Sequence, residues 1–355
     1  MTNSMRELLE LMVKKNASDI HFTTNHYLQL RIDEDLFPVN KDIMKPDDIK
    51  KLVYSILSEE QIKVFERDLE LDMSFGIEGL SRFRVNVFLQ RGYIGCAIRQ
   101  IPYEIMSFEE CGLPVDIVKN FCRKPKGLVL ITGATGSGKS TTLAAMVDEI
   151  NETEPCHIIT IEDPIEFVHT NKKAIVDQRE ILSDTHSFSQ SLKHVLRQDP
   201  DVILIGEMRD LETIESALII AETGHLVFTT LHTSDTTQTI NRVIDVFPAH
   251  QQQQIRTQLS FVLLGVISQQ LIPKTPPPGR ALATEVLVVT PAVRSLVRES
   301  KIHQLYSVIQ TGQREGMLTM NQSLYNLYKK KWITYEDAFE RTTDADDLAR
   351  VFGSK

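Results

Sequence analysis

The first hundred residues combine helical and strand-like patterns of apolar side chains. Apolar residues recur at helical spacing at Leu8, Leu9, Met12 and Val13. Pro46 opens a second helix that we expect to run to about Leu57, and Ser58 is a predicted cap for a third, "SEEQIKVFER". The alternating segments "YLQLRID", "LDMSFGI", "SRFRVNVFLQ" and "GYIGCAIRQI" predict strands. A small α+β domain therefore occupies residues 1–100 in this interpretation.

The pattern changes at Gly127 to short, continuous apolar runs that alternate with helical segments. The runs are "GLVLIT", "HIITI", "DVILI" and "HLVFTTL". Continuous apolar strands separated by helices are typical of a parallel sheet covered on both faces. The Pro-rich "PKTPPPG" at 273–279 predicts a surface turn, and the chain after Pro291 is predicted helical to its end.

Composition limits the classes of protein to consider. The 355 residues, 42% of them hydrophobic, suffice for two domains with cores. Four widely spaced cysteines without a CxxC pair favour a reducing compartment. The first residues form an amphipathic segment rather than a signal sequence, and no run approaches the roughly 20 apolar residues of a membrane span. A net charge of −9 argues against a nucleic-acid surface.

One segment carries a specific chemical signal. "GATGSGKS", from Gly133 to Ser140, matches the phosphate-loop pattern G-x-x-x-x-G-K-[ST], with a strand before it and a helix after it. The backbone N–H groups and the helix N-terminus suit a nucleoside triphosphate, Lys139 would reach the β- and γ-phosphates, and Ser140 would hold Mg²⁺. The predicted binding residues are Gly133, Ala134, Thr135, Gly136, Ser137, Gly138, Lys139, Ser140 and Thr141.

Three more apolar runs end in ionisable residues. "HIITI" leads to Glu162, "DVILI" to Gly206 and Glu207, and "HLVFTTL" to His232. Ligands of an open α/β sheet bind beyond the carboxyl ends of its strands, so these side chains should surround the phosphates. Hydrolysis needs one carboxylate for the attacking water and one acid for the metal shell, and the residues alone leave both roles open between Glu162 and Glu207. The alternative is a set of solvated loop charges.

Two histidines bracket the strand predicted at 226–231. Six residues span about 20 Å, so His225 and His232 should lie at opposite ends. His232 is the candidate for sensing the γ-phosphate. His225 is left with a subunit or domain contact, or with a capping role at the strand end.

Several segments together resemble the secretion and pilus ATPase family. "GATGSGKST", "ITIEDPIEF", "LRQDPDVILIGEMRD" and "AETGHLVFTTLHT" are similar to its Walker A, Asp, Walker B and His boxes. "SDIHF", "GLSRFRVNVFLQRG" and "AVRSLVRES" extend the likeness over nearly the whole chain, and the last resembles the C-terminal retraction motif of the type IV pilus branch. No cysteine follows Cys156, which favours retraction over extension ATPases with their four-cysteine zinc motif. Ser295 and Val297 replace the Asn and Ile that are usual in this family, so both a main and an accessory retraction ATPase stay open, and the main one is favoured.

The resemblance implies an architecture and a role. It implies an α/β chain with a PAS-like domain at 1–100, a linker at 101–126, a RecA-like P-loop ATPase core at 127–290 and a helical C-terminal region at 291–355. It also implies ATP and Mg²⁺ as ligands and a hexameric ring in the cytoplasm, at the cytoplasmic face of the inner membrane. The ring would dock on an inner-membrane platform protein, touch the membrane only through partners, bind no nucleic acid and drive pilin depolymerisation. Glu162 becomes the expected base, and Glu207 the support for Mg²⁺ and water.

Arginines outside the phosphate loop complete the candidate site. Arg82 and Arg84 share one face of their strand, and Arg99 lies on the next predicted strand. We expect one of these three to act as an arginine finger in a ring, the alternative being a solvated basic face.

The helix predicted after the Thr290 cap and Pro291 carries an apolar stripe, composed of Ala292, Val293, Leu296 and Val297. Arg294 and Arg298 lie one turn apart, off that stripe. The resemblance makes them a candidate transmission surface, and an ordinary packed helix is the alternative.

Two other functions compete with a mechanical ATPase. A RecA-type nucleic-acid translocase would need a basic channel with aromatic side chains, and the charge of −9 and one tryptophan disfavour it. A regulator that binds but barely hydrolyses nucleotide is disfavoured by the intact phosphate loop and the two glutamates.

Overall fold

A computed structural model describes residues 4–32, 35–101, 104–277 and 279–353. The chain divides into two compact units. The first comprises Met1–Glu104 with Glu166–Val168, and the second comprises Ile105–Ile165 with His169–Lys355.

The first unit is a six-stranded antiparallel sheet with helices on one face, in the order β3-β2-β1-β6-β5-β4. Its strands are β1 Asp19–Phe22, β2 Gln29–Ile32, β3 Asp35–Pro38, β4 Glu70–Ile77, β5 Ser81–Gln90 and β6 Tyr93–Ile101. Its helices are α1 Met5–Lys14, α2 Pro46–Tyr54 and α3 Glu59–Asp68. Leu9 of α1, Val53 of α2 and Phe83 of β5 are fully buried in one core, so the sheet packs the face that carries Phe83.

The helix signals in this unit are largely confirmed. Ser58 caps α3 in a reciprocal hydrogen-bonded box with Gln61, as its position predicted. The helix that begins at Pro46 ends at Tyr54, short of the predicted Leu57, because Ser55 caps it and donates its hydroxyl to the Leu52 carbonyl. Strands β1 and β3 were not predicted, because β1 is buried at three of its four residues and β3 is exposed throughout, so neither alternates between buried and exposed positions.

The second unit is a seven-stranded mixed sheet in the order β13-β12-β7-β11-β10-β8-β9. Its strands are β7 Gly127–Thr132, β8 His157–Glu162, β9 Ile175–Glu180, β10 Val202–Ile205, β11 Leu226–Leu231, β12 Leu263–Pro273 and β13 Arg280–Val288. Its helices are α4 Phe108–Cys111, α5 Val115–Cys122, α6 Lys139–Thr153, α7 Phe188–Val195, α8 Leu211–Glu222, α9 Thr236–Asp245, α10 Ala249–Val262, α11 Pro291–Arg298, α12 Leu305–Thr311, α13 Met320–Lys329, α14 Tyr335–Arg341 and α15 Ala345–Gly353.

The four predicted runs are the four central parallel strands of this sheet. Leu128 and Leu130 of β7 join one apolar core, whereas Val129 and Ile131 join another. Successive side chains of a strand point to opposite faces, so both faces are covered, which confirms the expectation from continuous apolar runs. The antiparallel pair of β12 and β13 was not predicted and makes the sheet mixed.

Three further predicted segments can be compared with the structure. The stretch 101–126, predicted as a linker, contains α4 and α5, and Phe108, Val118 and Phe121 of these helices are buried in the second unit. The segment "PKTPPPG" connects β12 to β13, and Lys274 N donates to the Gly279 carbonyl at 2.8 Å. The predicted surface turn is therefore confirmed, except at Pro278, which lies outside the described residues. In the described residues from Pro291 to Gly353 the chain forms five α-helices, α11 to α15, which confirms the predicted helical region there. Within the ranges that the structure describes, no helix has the length and apolarity of a membrane span.

Candidate active site

The four predicted strand ends meet at one edge of the second sheet. β7 pairs in parallel with β11, Thr132 opposite Leu231, so Gly133 and His232 leave the sheet side by side. β10 lies between β11 and β8, with Ile205 opposite both Thr229 and Ile161. The phosphate loop, His232, Glu207 and Glu162 therefore emerge in that spatial order from the carboxyl ends of adjacent strands.

The phosphate loop has a backbone that only glycine adopts readily. Gly133, Gly136 and Gly138 have φ angles of +143°, +78° and +89°. A Cβ atom at Gly133 would lie 2.4 Å from the Gln269 carbonyl oxygen and 2.5 Å from Ser137 Oγ. The loop therefore closes against β12 with no room for a larger residue.

The polar groups of this loop fit a polyphosphate. Lys139, the first residue of α6, is 9% exposed, and its Nζ donates to the carbonyls of Gly133 and Ala134 at 2.9 and 3.0 Å. The hydroxyl of Ser137 is buried without a hydrogen-bond partner among the described residues. Ser140 and Thr141 follow in the first turn of α6, where free N–H groups and the helix dipole favour an anion.

Glu162 ends β8 with its carboxylate held in place. Its Oε1 accepts from the Thr160 hydroxyl at 2.6 Å and from Gln178 Nε2 at 3.2 Å. A Cβ atom at Gly206 would lie 3.3 Å from the Glu162 Cα, so glycine after β10 lets the two acidic strand ends approach.

Glu207 and His232 contact each other. Glu207 Oε2 lies 3.1 Å from His232 Nε2, and Oε1 contacts the Arg209 guanidinium. Burial, followed by the positive charges of Lys139 and Arg209, lowers the pKa of His232 below its ordinary value. The lowered pKa favours the neutral imidazole. Because a carboxylate can only accept, Nε2 carries the hydrogen and donates a hydrogen bond to Glu207.

The three candidate arginines of the first unit lie on the sheet face that the helices leave uncovered. Arg84 and Arg99 are directly opposite in the β5–β6 pair. Arg99 donates to Asp19 at 2.8 Å, Arg82 donates to Ser74 at 2.7 Å, and Arg84 is exposed. Arg82 and Arg84 share one face of β5, as predicted. Phe83, Val85 and Val87 on the other face are buried, whereas Leu89 at the end of that face is exposed.

The remaining candidates occupy peripheral positions in the second unit. His225 lies before β11, and its Nδ1 is 3.1 Å from the Ile220 carbonyl in the last turn of α8, which is a capping contact. Arg294 and Arg298 are exposed on α11, whose Val293 and Val297 are buried. Ala292 is exposed, so its place in the apolar stripe was predicted wrongly: it lies in the first turn, one residue ahead of the buried face.

Sequence reasoning missed three residues that hold the acidic groups. Arg209 stands two positions after Glu207 in "GEMRD", and that spacing is a usable signal for a cation beside a carboxylate. Thr160 and Gln178 orient Glu162, but Gln178 belongs to β9, a strand that the apolar pattern does not reveal.

Comparisons with known proteins agree along most of the chain. The model of the type II/IV secretion system protein family matches residues 1–330. The type IV pilus retraction ATPase PilT of Pseudomonas aeruginosa is 49% identical over 335 residues, which cover 94% of this chain and 97% of that protein. The type IV pilus ATPase PilU of that bacterium is 40% identical over 342 residues, or 96% and 89% of the two chains. A crystal structure of the pilus retraction motor PilT with bound ADP is 48% identical, with a TM-score of 0.92 over 98% of this chain and 99% of that one.

Proposed function

Since the chain belongs to the type II/IV secretion system protein family and is an ATPase with the fold of PilT, we propose that its hydrolysis of ATP drives the disassembly and retraction of type IV pili. The observation that carries this proposal is the meeting of a phosphate loop, two glutamates and a histidine at adjacent strand ends. Because 94% of the chain aligns with PilT at 49% identity, the proposal extends to the whole molecule.

The nucleotide phosphates would lie over the loop from Gly133 to Thr141. The loop N–H groups would donate to them, and Lys139 would exchange its two carbonyl contacts for the β- and γ-phosphates. Mg²⁺, when bound, would neutralise phosphate charge. Its protein ligands would be the Ser140 hydroxyl and Glu207, directly or through water, which suits an ion that keeps water and phosphate oxygens in its shell.

The environments of the two glutamates support different roles. Thr160 and Gln178 orient Glu162 with neutral donors, whereas Glu207 contacts the cationic Arg209. We assign Glu162, whose carboxylate is held in place at the end of β8, as the base that receives a proton from the attacking water. Glu207 supports the metal and the water, and His232 senses the γ-phosphate from its contact with Glu207.

The active unit in this proposal is a hexameric ring. Residues 1–100 form a PAS-like domain, the core at 127–290 is RecA-like, and 101–126 connect them. One of Arg82, Arg84 and Arg99 would approach a nucleotide and neutralise charge in the transition state. Sequential closure of subunits around the ring would convert hydrolysis to movement. His225 would serve only its capping contact or a subunit contact.

The motor would work in the cytoplasm, at the cytoplasmic face of the inner membrane, and reach the membrane only through partners. An inner-membrane platform protein of the pilus machine would receive the movement, with Arg294 and Arg298 on the transmission surface. The higher identity to PilT than to PilU, 49% against 40%, supports the main motor over an accessory one.

A retraction assay tests the proposal. Pilus retraction and twitching are measured in a strain that lacks its native retraction motor and carries this chain or its Lys139→Ala variant. We expect the unaltered chain to restore both. The variant should restore neither and lose at least about a hundredfold in ATP hydrolysis, because it removes the ammonium at the phosphates. Lys193→Ala, which changes an exposed lysine of α7, is the matched control.

Two outcomes contradict the proposal. Normal turnover by Lys139→Ala would remove the site assignment. ATP hydrolysis that single-stranded DNA stimulates, without restored retraction, would favour the nucleic-acid translocase instead.

A further inference from the structure

A row of buried hydroxyl groups lies beneath the phosphate loop. Ser268 Oγ of β12 is 2.8 Å from Thr132 Oγ1 at the end of β7. Thr132 Oγ1 is 3.5 Å from Thr239 Oγ1 of α9, which is 2.6 Å from the hydroxyl of Thr233. Ser268, Thr132 and Thr239 have no solvent exposure. The row therefore joins the strand that precedes Gly133 to the residue that follows His232.

Counting protons gives the row a direction. Each hydroxyl has one proton to donate. Thr239 Oγ1 lies 2.7 Å from the Asp235 carbonyl, one helical turn back, and that carbonyl can only accept. Thr239 consequently accepts at its short contact with Thr233. The Thr233 hydroxyl therefore donates to Thr239. This hydrogen bond from the buried side fixes the conformation of the turn that carries His232.

The far side of this turn is equally constrained. Asp235 caps α9 by accepting from the N–H of Gln238 at 2.8 Å. The buried carboxylate of Glu285 on β13 accepts from Thr236 N at 2.9 Å. The turn between β11 and α9 is thus anchored at Thr233 and again at Thr236, and the exposed His232 ring extends from a rigid base.

We propose that Thr239 is a positioning residue for ATP hydrolysis, which holds His232 against Glu207 by accepting the Thr233 hydroxyl. Thr239 touches neither nucleotide nor metal and acts through the His232 turn. This inference rests on the proposed roles of Glu207 and His232. It adds a residue that no phosphate-loop or strand-end pattern indicates.

The test compares two threonine-to-valine substitutions in the full-length protein. Thr239→Val keeps the branched shape and removes the hydroxyl. Thr229→Val is the matched control, because Thr229 on β11 is equally buried and its hydroxyl has no hydrogen-bond partner among the described residues. We expect Thr239→Val to lower kcat for ATP about tenfold or more, since small misplacements of catalytic groups have effects of this order. Its affinity for ADP should stay within about twofold, because the phosphate loop is unchanged. Thr229→Val should change neither quantity.

A rescue variant and a double mutant distinguish a positioning role of Thr239 from a general loss of folded structure. Thr239→Ser retains the hydroxyl and should restore kcat, and Thr233→Ala removes the other partner and should repeat the loss if Thr239→Val fails to fold. In a His232→Ala background, Thr239→Val should have no further effect on kcat, because residues that act as a unit are not additive. Any one of four results would overturn the proposal. These are an unchanged kcat in Thr239→Val, a kcat that Thr239→Ser does not restore, a loss of ADP affinity that parallels the loss of kcat, and effects of Thr239→Val and His232→Ala that are fully additive. Full turnover by His232→Ala alone would instead overturn the role of His232 in the proposed function, so the two failures can be told apart.

Discussion

The two sheets of this protein present their chemistry in different ways. In β5 of the first unit, Phe83 and Val85 face the core while Arg82 and Arg84 face away from it. In β7 and β11 of the second unit every residue is buried. A sheet covered on one face can display polar groups along its strands, whereas a sheet covered on both faces can display them only where strands end. In the first unit, substitutions on the uncovered face of a strand should change activity without changing stability. In the second unit, only substitutions at strand ends should do so.

The largest expected effect concerns the two acidic strand ends of the second sheet. Glu162→Gln should bind ATP and lose about 10² to 10⁴-fold in kcat, because the amide cannot accept the proton of the attacking water. Glu207→Gln should lose activity with a weaker response to added Mg²⁺. ATP hydrolysis as a function of Mg²⁺ concentration, with direct measurement of bound ATP, distinguishes them. Trapped ATP in Glu207→Gln together with turnover by Glu162→Gln would reverse the roles.

The next prediction separates the two faces of the first sheet. Arg84→Ala should reduce ATP hydrolysis by the ring at almost unchanged melting temperature. Val85→Ala should lower the free energy of unfolding by about 2 kcal/mol, because it leaves a cavity in the core. Activity and thermal unfolding of both variants give the comparison, and Arg82→Ala and Arg99→Ala complete the series. If Arg84→Ala unfolds as readily as Val85→Ala, the uncovered face has a structural role instead.

Mixed rings show where the arginine acts. Combining Lys139→Ala subunits with subunits of the inactive arginine variant should restore part of the ATPase activity if the arginine serves a neighbouring subunit. No recovery at any mixing ratio would place it in its own chain.

A smaller effect on ATP hydrolysis is expected from substitutions in α11, which carries none of the phosphate-site residues. Arg294→Ala combined with Arg298→Ala should leave ATP hydrolysis and ring assembly within about twofold, since exposed substitutions usually change stability little. Pilus retraction in cells should nevertheless stop. Normal retraction would defeat the idea of a transmission surface, and parallel loss of hydrolysis would show that the helix only supports the fold.

The smallest effect is a dependence of stability on pH that we expect from the second unit. Burial lowers the pKa of His169 to about 4. The negative charge of Asp148 partly offsets this effect, and the positive charge of Lys172 adds to it. A depressed histidine pKa gives stability that is complete above about pH 6.5 and is lost as the pH falls towards 4. Between pH 8 and pH 5 this amounts to about 2 kcal/mol. Denaturant unfolding followed by Trp332 fluorescence measures it, and His169→Asn should flatten the difference between the two pH values.

Sequence patterns predicted most helices and strands, but they did not predict which residues far apart in the sequence contact each other in the sheet. The phosphate loop and the four apolar runs were found because each is a continuous local signal, and parallel pairing then brought Glu162, Glu207 and His232 to one edge. β12 was missed because Ser268, Gln269 and Gln270 interrupt its apolar pattern. Ser268 and Gln269 can be buried because they hydrogen-bond to Thr132 and Thr142, which lie more than a hundred positions away in the sequence. Contacts of that kind have no periodic signature.

The position of β7 inside the sheet also determines when, during translation, the nucleotide pocket can form. β7 pairs with Leu226–Leu231 on one side and with Leu263–Ser268 on the other, so its neighbours are made about a hundred or more residues later. A nascent chain that has just exposed "GATGSGKS" from the ribosome has neither flank of this strand. Any intermediate with β7 paired on both sides already contains β12, which closes the loop against the Gln269 carbonyl. The nucleotide pocket is thus encoded early in translation and assembled late, after three quarters of the polypeptide has been made.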